Sequence, residues 1–396
     1  MKYFTLARYV IIATAFFTNG FFTYSNQSKT LIDLDMASDT MEKAEHHTYK
    51  KEFKFGASPF KIDDLAYILP MGCMIGGHVT PIDHGYFFGN DRLNATPDQF
   101  EIYSPAQGVI IELSRTNRNG SPPFIDHAIT MEFPDGLSVH YSNMSSFSPH
   151  VLEQSGPVEV NINKGVSIPV EEGELVGRTG QYGIDFSVRD ANLKLKGFVV
   201  PKHYKGESWK IHTTDMFKHF KKSIRNKLLE KALRPVKPRG GKIDYDIDGR
   251  LVGNWFIPGT GGYSGFSHGS EGYWKTHLAI AYDAIDPSAI IVSIGDWQGE
   301  AKQFGVQGNN PDPKDISIDS GLVKYELIQF SWMSANGDPW DHDSYVPDLV
   351  FKPFENIQGV VLLQMIDKRM LRMEIFPGKT ADEVTDFTDN ARIYKR

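Results

Sequence analysis

The sequence predicts a mainly β protein made of two domains. Short apolar runs alternate with polar residues at period two, which is the pattern of half-buried strands. The chain contains 36 glycines and 22 prolines, as expected for many strands joined by tight turns. Its 396 residues exceed one ordinary core, so length favours two domains. Hydrophobic residues at 40% and charged residues at 23% are typical of a globular protein and exclude a disordered or membrane-spanning class.

The N-terminus predicts export. Lys2 and Arg8 form a basic start, and residues 9–17 (YVIIATAFF) are an apolar run of signal-peptide length, too short for a stable membrane span. We expect residues 1–27 to be a signal peptide or N-terminal anchor and residues 28–57 to be a polar leader. The expected location is extracytoplasmic, either periplasmic or secreted. Cys73 is the single cysteine, so no internal disulfide is expected, and its apolar surroundings predict a small buried side chain.

Residues 58–200 carry the pattern of a β domain. Alternating runs include GVIIEL at 108–113, HAITMEF at 127–133 and LSVHYSN at 137–143. The Asp135-Gly136 pair between two of these runs is a hairpin signal.

Residues 201–242 are predicted to be a basic helical linker. Residues 202–242 carry a local net charge of +10, whereas the rest of the chain carries −17. Within the linker, 213–234 has an apolar stripe opposite a basic face, which predicts one amphipathic helix that ends before Pro235. We favour packing of the stripe between two acidic domains. Contact of the basic face with an anionic membrane or polymer is the alternative.

Residues 243–396 predict an antiparallel β sandwich or barrel. Strand-like runs recur here, including THLAIAYD at 276–283, AIIVSIG at 289–295 and LVKYELIQF at 322–330. Two further runs are VVLLQMI at 360–366 and RMLRMEIF at 369–376, and the Asp367-Lys368 pair between them predicts a tight hairpin.

Four segments of the first domain resemble, in order, the LytM/lysostaphin family of zinc endopeptidases (peptidase family M-twenty-three). They are YSPAQGVI at 103–110, YSNMSS at 141–146, VEEGELVGRTG at 170–180 and GIDFSV at 183–188. The resemblance covers about a third of the chain. It implies a β domain of the duplicated-hybrid-motif type and, in active members, a zinc site that cleaves peptidoglycan cross-bridges.

The family's metal-site residues are only partly matched. Its His–Asp pair resembles His78 and Asp83, spaced by five residues instead of four, and His84 follows as a substitute ligand. With Asp185, these residues are the candidate ligands of one divalent metal. A catalytic zinc takes three protein ligands and an open position, and this carboxylate-rich set shifts the preference toward harder metals such as manganese. A hydrogen-bonded turn without metal is the alternative.

The remaining family positions are degenerate. The active-site histidine falls on Asn143, and the final histidine pair falls on Gly183 and Asp185. Peptide hydrolysis needs a general base and an oxyanion stabiliser, and with Asn143 and Gly183 in place of two histidines both roles are short of candidates. His140 precedes Asn143 by three residues, and strand alternation predicts that it faces the opposite side.

A second candidate metal site follows the linker. Asp244, Asp246, Asp248 and Gly249 form D-x-D-x-D-G, the start of a calcium-binding loop. The twelfth position is Trp255 instead of the usual glutamate. A hairpin turn at Asp248-Gly249 is the alternative.

These observations predict an exported cell-envelope protein with a degenerate peptidase-like domain. The leading hypothesis is a module that binds an envelope glycan such as peptidoglycan, a peptide or an envelope protein. The alternatives are a metal-dependent hydrolase with zinc or manganese, and a structural envelope protein. We expect no nucleic-acid partner, and membrane contact only through the N-terminal segment or the basic helix.

Overall fold

The computed structural model describes residues 52–118, 123–266 and 272–396, and it is mainly β, as predicted. The signal segment at 1–27 and nearly all of the predicted leader lie outside the described residues. Within the described residues, no helix is long and apolar enough to cross a membrane.

The first half of the chain forms two sheets. The larger sheet has the strand order β1-β2-β10-β6-β5-β4-β8, with β11 paired to β10, and the smaller sheet has the order β3-β9-β7. Their bounds are β1 Leu65–Leu69, β2 Gly85–Gly89, β3 Phe100–Tyr103, β4 Gly108–Arg118, β5 Phe124–Glu132, β6 Leu137–Met144, β7 Ser146–Phe147, β8 Asn163–Val170, β9 Leu175–Thr179, β10 Ile184–Asp190 and β11 Thr213–Thr214.

Adjacent strands in both sheets are antiparallel, and one apolar core lies between the sheets. The turn at 134–136 joins β5 to β6, which confirms the predicted hairpin. Helix α1 (Pro149–Ser155) begins after Ser148, whose hydroxyl accepts a hydrogen bond from the Val151 backbone N–H and so caps the first turn.

The single long helix predicted over 213–234 is wrong. Residues 213–214 form strand β11, residues 216–219 form a 3-10 turn capped by Asp215, and only α2 (Lys222–Leu229) is α-helical. Phe220 and Lys221 have extended ψ angles near 145°, which interrupts the helix. The apolar stripe is nevertheless buried, because its residues join the core of the first half. The segment therefore wraps the first domain instead of bridging two domains as one helix.

The second half forms a closed antiparallel barrel, which decides between the predicted sandwich and barrel. Strand β12 pairs with both β13 and β19, and this pairing closes the ring. The bounds are β12 Gly253–Phe256, β13 His277–Tyr282, β14 Ile290–Trp297, β15 Glu300–Val306, β16 Leu322–Met333, β17 Val350–Asp367, β18 Met370–Pro377 and β19 Arg392–Lys395. The β17–β18 hairpin is confirmed, with its turn at 368–369.

The barrel packs directly against the first domain. The β16–β17 hairpin extends beyond the barrel, and its Trp332 and Trp340 pack with Tyr67 in an apolar cluster that joins both halves. The Tyr67 hydroxyl donates a hydrogen bond of 2.7 Å to the backbone carbonyl of His342. A second mixed cluster joins Met71 and Phe198 to Phe256 and other aromatic residues. The loop between β1 and β2 lies at this junction.

Candidate functional site

The candidate metal ligands from the first motif lie on the loop between β1 and β2. The loop folds back on itself, because the backbone N–H of Gly72 donates to the Ile82 carbonyl and the N–H of Ile82 donates to the Cys73 carbonyl. Ile75 and His78 also exchange backbone hydrogen bonds. This compact turn brings the loop back to β2, where it presents Asp83 and His84 beside β10.

The structure brings His84 together with two of the predicted acidic residues. Its Nδ1 lies 3.3 Å from Asp83 Oδ1, and its Nε2 lies 3.5 Å from Asp185 Oδ2. Its Nε2 also lies 3.2 Å from the Tyr86 hydroxyl. The His78 ring stands edge-on to the His84 ring, with centroids 6.1 Å apart. All four predicted residues therefore belong to one neighbourhood.

Asp83 also binds a lysine from a distant segment. The 3-10 segment Pro201–His212 crosses this site and places Lys210 Nζ 3.1 Å from Asp83 Oδ1. The same ammonium lies 3.1 Å from Glu207 Oε2, and Trp209 Nε1 donates to Asp83 Oδ2 over 2.8 Å. Lys210 is 5% exposed, so this is a buried ion pair.

Asp185 accepts hydrogen bonds at both oxygens from neighbouring β6. Ser142 Oγ donates to Oδ2 over 2.8 Å, and Asn143 Nδ2 donates to Oδ1 over 2.7 Å. Two consecutive residues reach the same carboxylate because Asn143 has a left-handed φ of 61°, which breaks strand alternation. Asn143 and Asp185, two of the positions matched to the family's histidines, are therefore in direct contact.

The network continues beyond Asn143 to a second ion pair. The backbone N–H of Asn143 donates to Asp126 Oδ1 over 2.6 Å. Arg118 donates from Nε and Nη2 to Asp126 Oδ2 over 3.0 and 2.7 Å. A continuous polar chain therefore runs across the sheet face through Arg118, Asp126, Asn143, Asp185, His84, Asp83, Lys210 and Glu207. We call these eight residues the polar network.

Burial and neighbouring charges shift the pKa values of several residues in and beside the polar network. Burial favours neutral His84, but the negative charges of Asp185 and Asp83 outweigh burial and raise its pKa. Burial also opposes ionisation of Asp83, yet Lys210 and His84 hold the pKa of Asp83 well below its usual range. Burial and the nearby cations His84 and Lys210 lower the pKa of His78 well below its usual value. At Asp126, burial outweighs Arg118, and the pKa of this carboxyl is raised.

These donors do not fit a divalent metal in this arrangement. A histidine ligand must present a nitrogen without a proton, whereas His84 lies between two carboxylates that favour its doubly protonated form. Asp83 is already neutralised by Lys210, and both Asp185 oxygens accept protein hydrogen bonds. Among the described ranges, no group of three His, Cys, Asp or Glu side chains has the geometry to hold a metal ion.

The predicted orientation of His140 is wrong. In the β6–β10 register, Ser142 pairs with Asp185 and His140 pairs with Ser187, so these four residues share one face. The prediction failed because it extended strand alternation through Asn143, whose backbone is left-handed. His140 Nδ1 lies 3.0 Å from Thr130 Oγ1, and burial lowers the pKa of His140 to about 3. The imidazole is therefore neutral.

Gly183 occupies a position where a side chain cannot fit. Its φ is +64°, and a Cβ atom there would lie 2.4 Å from the backbone oxygen of Phe87. Both features favour glycine. A histidine at this position, as in the resembling enzymes, would require the local backbone to move.

The three candidate calcium ligands bind different protein cations. Asp244 pairs with Lys242, Asp246 lies 3.6 Å from the Arg396 guanidinium, and Asp248 lies 2.7 Å from the Arg369 guanidinium. Asp246 also accepts a backbone hydrogen bond of 2.8 Å from Asn254. Each of the three aspartates therefore already pairs with a protein cation, and this arrangement gives the calcium hypothesis no support.

Cys73 is partly buried on the loop that carries His78. Its Sγ lies 3.4 Å from the Pro70 carbonyl, and burial raises the pKa of the thiol. A protonated thiol is a poor nucleophile.

Sequence reasoning missed four members of the polar network, which are Arg118, Asp126, Lys210 and Glu207. Lys210 lies more than 120 residues from its partner Asp83, within a run of other basic residues, and no local pattern distinguishes it.

Comparison of the chain with protein-family models, curated proteins and solved structures finds no match.

Proposed function

We propose that this chain is an exported cell-envelope protein whose first domain binds an envelope polymer or peptide without cleaving it. The observation that carries the proposal is the Lys210 ammonium, which lies against Asp83 within the cluster of predicted metal ligands. A buried lysine that neutralises this carboxylate supplies the positive charge that a metal would otherwise bring. The resemblance to LytM-type enzymes then concerns the fold of the domain and not its chemistry.

The remaining donors support the same interpretation. Asp185 is held by Ser142 and Asn143, and His84 bridges two carboxylates. Hydrolysis of a peptide bond needs a base that can accept a proton and a polarised carbonyl. His84 already lies against two carboxylates, and both Asp83 and Asp185 already have cationic or hydrogen-bonding partners, so none of these side chains is free to take up a proton from a substrate. The arrangement thus disfavours a metal-dependent hydrolase. That alternative is tested directly by the metal-content measurement below.

An aromatic pair at one end of the polar network supplies a candidate binding surface. The rings of Phe124 and Tyr182 stack at a centroid distance of 4.3 Å, and both retain partial exposure. In the sheet register, Phe124 pairs with Arg118, which places the aromatic pair beside the Arg118–Asp126 ion pair. Aromatic faces next to a fixed ion pair suit a ligand with both apolar and hydrogen-bonding groups, such as a sugar–peptide polymer.

The first test measures metal content. We expect no stoichiometric transition metal in the purified full chain after incubation with zinc or manganese and desalting. The variants Asp83→Ala and Asp185→Ala, purified identically, should give the same result. About one equivalent of metal in the unmodified chain, lost in both variants, would establish the hydrolase alternative instead.

The second test measures binding. Co-sedimentation of the full chain with purified peptidoglycan should weaken about tenfold in the double variant Phe124→Ala/Tyr182→Ala, since loss of a central aromatic contact costs more than about 1 kcal/mol. A matched control is Phe330→Ala/Phe351→Ala, which removes another stacked pair, at 4.7 Å, from the β16–β17 hairpin. Equal weakening in both double variants, or no binding at all, would reject the proposed surface.

A further inference from the structure

The tip of the β16–β17 hairpin, residues 334–349, is fixed on two residues of the first domain. The backbone carbonyl of His342 accepts a hydrogen bond of 2.7 Å from the Tyr67 hydroxyl and one of 2.9 Å from Arg92 Nε. Arg92 Nε also lies 3.1 Å from the Tyr67 hydroxyl. The buried Trp340 ring packs edge-on against Tyr67, with centroids 5.2 Å apart. Hydrogen bonds and ring packing therefore hold the tip on Tyr67 and Arg92 together.

Arg92 connects this tip to the turn that carries Tyr182. Its Nη1 donates to the Gln181 carbonyl over 3.5 Å, and its guanidinium carbon lies 4.6 Å from the ring centroid of Phe88. The Phe88 ring borders the same turn, because a Cβ atom at Gly183 would lie 2.8 Å from Phe88 Cδ1. The turn that presents Tyr182 thus rests on Arg92 and Phe88.

The guanidinium of Arg92 joins the two halves of the chain. The His342 carbonyl belongs to the barrel hairpin, and the Gln181 carbonyl belongs to the first domain. A guanidinium holds its N–H donors in one rigid plane, so two carbonyls bound by the same guanidinium keep a fixed relative position. A shift of the hairpin tip is therefore transmitted to the Gln181 carbonyl, next to Tyr182.

We propose that the hairpin tip, acting through Arg92, positions Tyr182 for ligand binding, so that the barrel sets the affinity of the first domain for its ligand. This role rests on the proposed function, in which the stacked Phe124 and Tyr182 rings form the binding surface. The two rings offer one continuous aromatic face because their centroids lie 4.3 Å apart and their planes are inclined at only 21°. If the turn were released, ligand binding would include the cost of ordering the Tyr182 ring. By reciprocity, bound ligand in turn stabilises the docked tip.

The first measurement reports the position of Tyr182 without any ligand. A full chain with fluorotyrosine at position 182 gives a fluorine NMR resonance that depends on what the ring contacts. Arg92→Ala and Trp340→Ala should each move or broaden this resonance. Trp340→Phe keeps an aromatic ring against Tyr67 and should restore the resonance of the unmodified chain. The matched control Arg225→Ala removes another half-buried arginine, from α2, and should leave the resonance unchanged.

The second measurement is co-sedimentation of the full chain with purified peptidoglycan. Arg92→Ala and Trp340→Ala should each weaken binding about fivefold, the low end of typical coupling between sites. Trp340→Phe and the control Arg225→Ala should retain binding. The variant Phe330→Ala/Phe351→Ala should also retain it, because that pair lies at the other end of the hairpin extension, against β15. Saturating soluble peptidoglycan fragments should slow amide hydrogen exchange in residues 334–349.

An unchanged fluorine resonance in Arg92→Ala would overturn the positioning role, whether or not peptidoglycan binds. Weakening of binding in Arg225→Ala as large as in Arg92→Ala would also overturn it, because the loss would then follow net charge. No binding by the full chain would reject the proposed function and the effect on affinity, while the fluorine result still decides the positioning. Unchanged circular dichroism excludes unfolding as the cause, and if Trp340→Ala unfolds, the two arginine variants decide alone.

Discussion

Replacement of Lys210 by methionine removes the cation from the centre of the polar network. Lys210 is 5% exposed, and its ammonium lies 3.1 Å from both Asp83 Oδ1 and Glu207 Oε2. Removal of one member of a buried ion pair costs about 3–5 kcal/mol, because the other charge stays buried. Asp83 keeps its hydrogen bond from Trp209, so we expect a loss of about 3 kcal/mol in the free energy of unfolding, at the low end of this range.

The assay is urea denaturation followed by tryptophan fluorescence at neutral pH. Lys205→Met is the matched control, since Lys205 is an exposed lysine of the same 3-10 segment. The free energy of unfolding of Lys205→Met should stay within about 0.5 kcal/mol of that of the unmodified chain. The double variant Asp83→Asn/Lys210→Met removes both charges and should recover part of the stability, with a coupling free energy of about 2 kcal/mol. A loss in Lys210→Met no larger than in Lys205→Met would refute the buried pair and the proposal built on it.

Three further predictions concern stability. Burial raises the pKa of Asp283 from 3.8 to about 6, so the folded protein holds this proton more tightly than the unfolded chain does. The free energy of unfolding is therefore highest below about pH 4 and falls as the pH rises to about 6. At 1.36 kcal/mol per pKa unit the loss is about 3 kcal/mol, and Asp283→Asn should flatten the unfolding free energy over that range; an unchanged slope would contradict this. Arg396 is 2% exposed and donates to five backbone carbonyls between residues 247 and 254. Arg396→Ala should therefore cost about 3 kcal/mol or more in urea denaturation, and a loss below about 1 kcal/mol would contradict its anchoring role. Gly183→Ala should cost at least about 2 kcal/mol more than Gly173→Ala, because both have positive φ but only position 183 meets a backbone atom, the Phe87 oxygen; equal melting temperatures would contradict the clash.

The strands were predictable because the patterns that indicate them involve residues close together in the sequence. Period-two alternation and the Asp135-Gly136 turn identify the β5–β6 hairpin without reference to the rest of the chain. The helix over 213–234 failed for the opposite reason. Its apolar residues are buried as expected, but Thr213 and Thr214 pair with β10, and Phe55 bridges to Phe220. These contacts with distant residues hold part of the segment in an extended form that its spacing alone does not exclude.

The site was predictable only in part. The resemblance selected His78, Asp83, His84 and Asp185, and the structure brings them into one neighbourhood. The chemistry of that neighbourhood was not predictable, because it depends on Lys210, which the sequence places far away.

The polar network also depends on the barrel, although none of its residues belongs to the barrel. Gln303 of β15 exchanges two hydrogen bonds with the backbone of Gly76, and so ties the β1–β2 loop to the barrel. Lys210 Nζ lies 4.6 Å from the ring centroid of Tyr263, in the segment between β12 and β13. The second half therefore fixes both the loop that carries Asp83 and the lysine that neutralises it. Both partners of this ion pair are thus supported by contacts from the second half of the chain. The first domain alone would lack these contacts, which help to hold the polar network together. Any binding surface that depends on the network is a property of the whole chain.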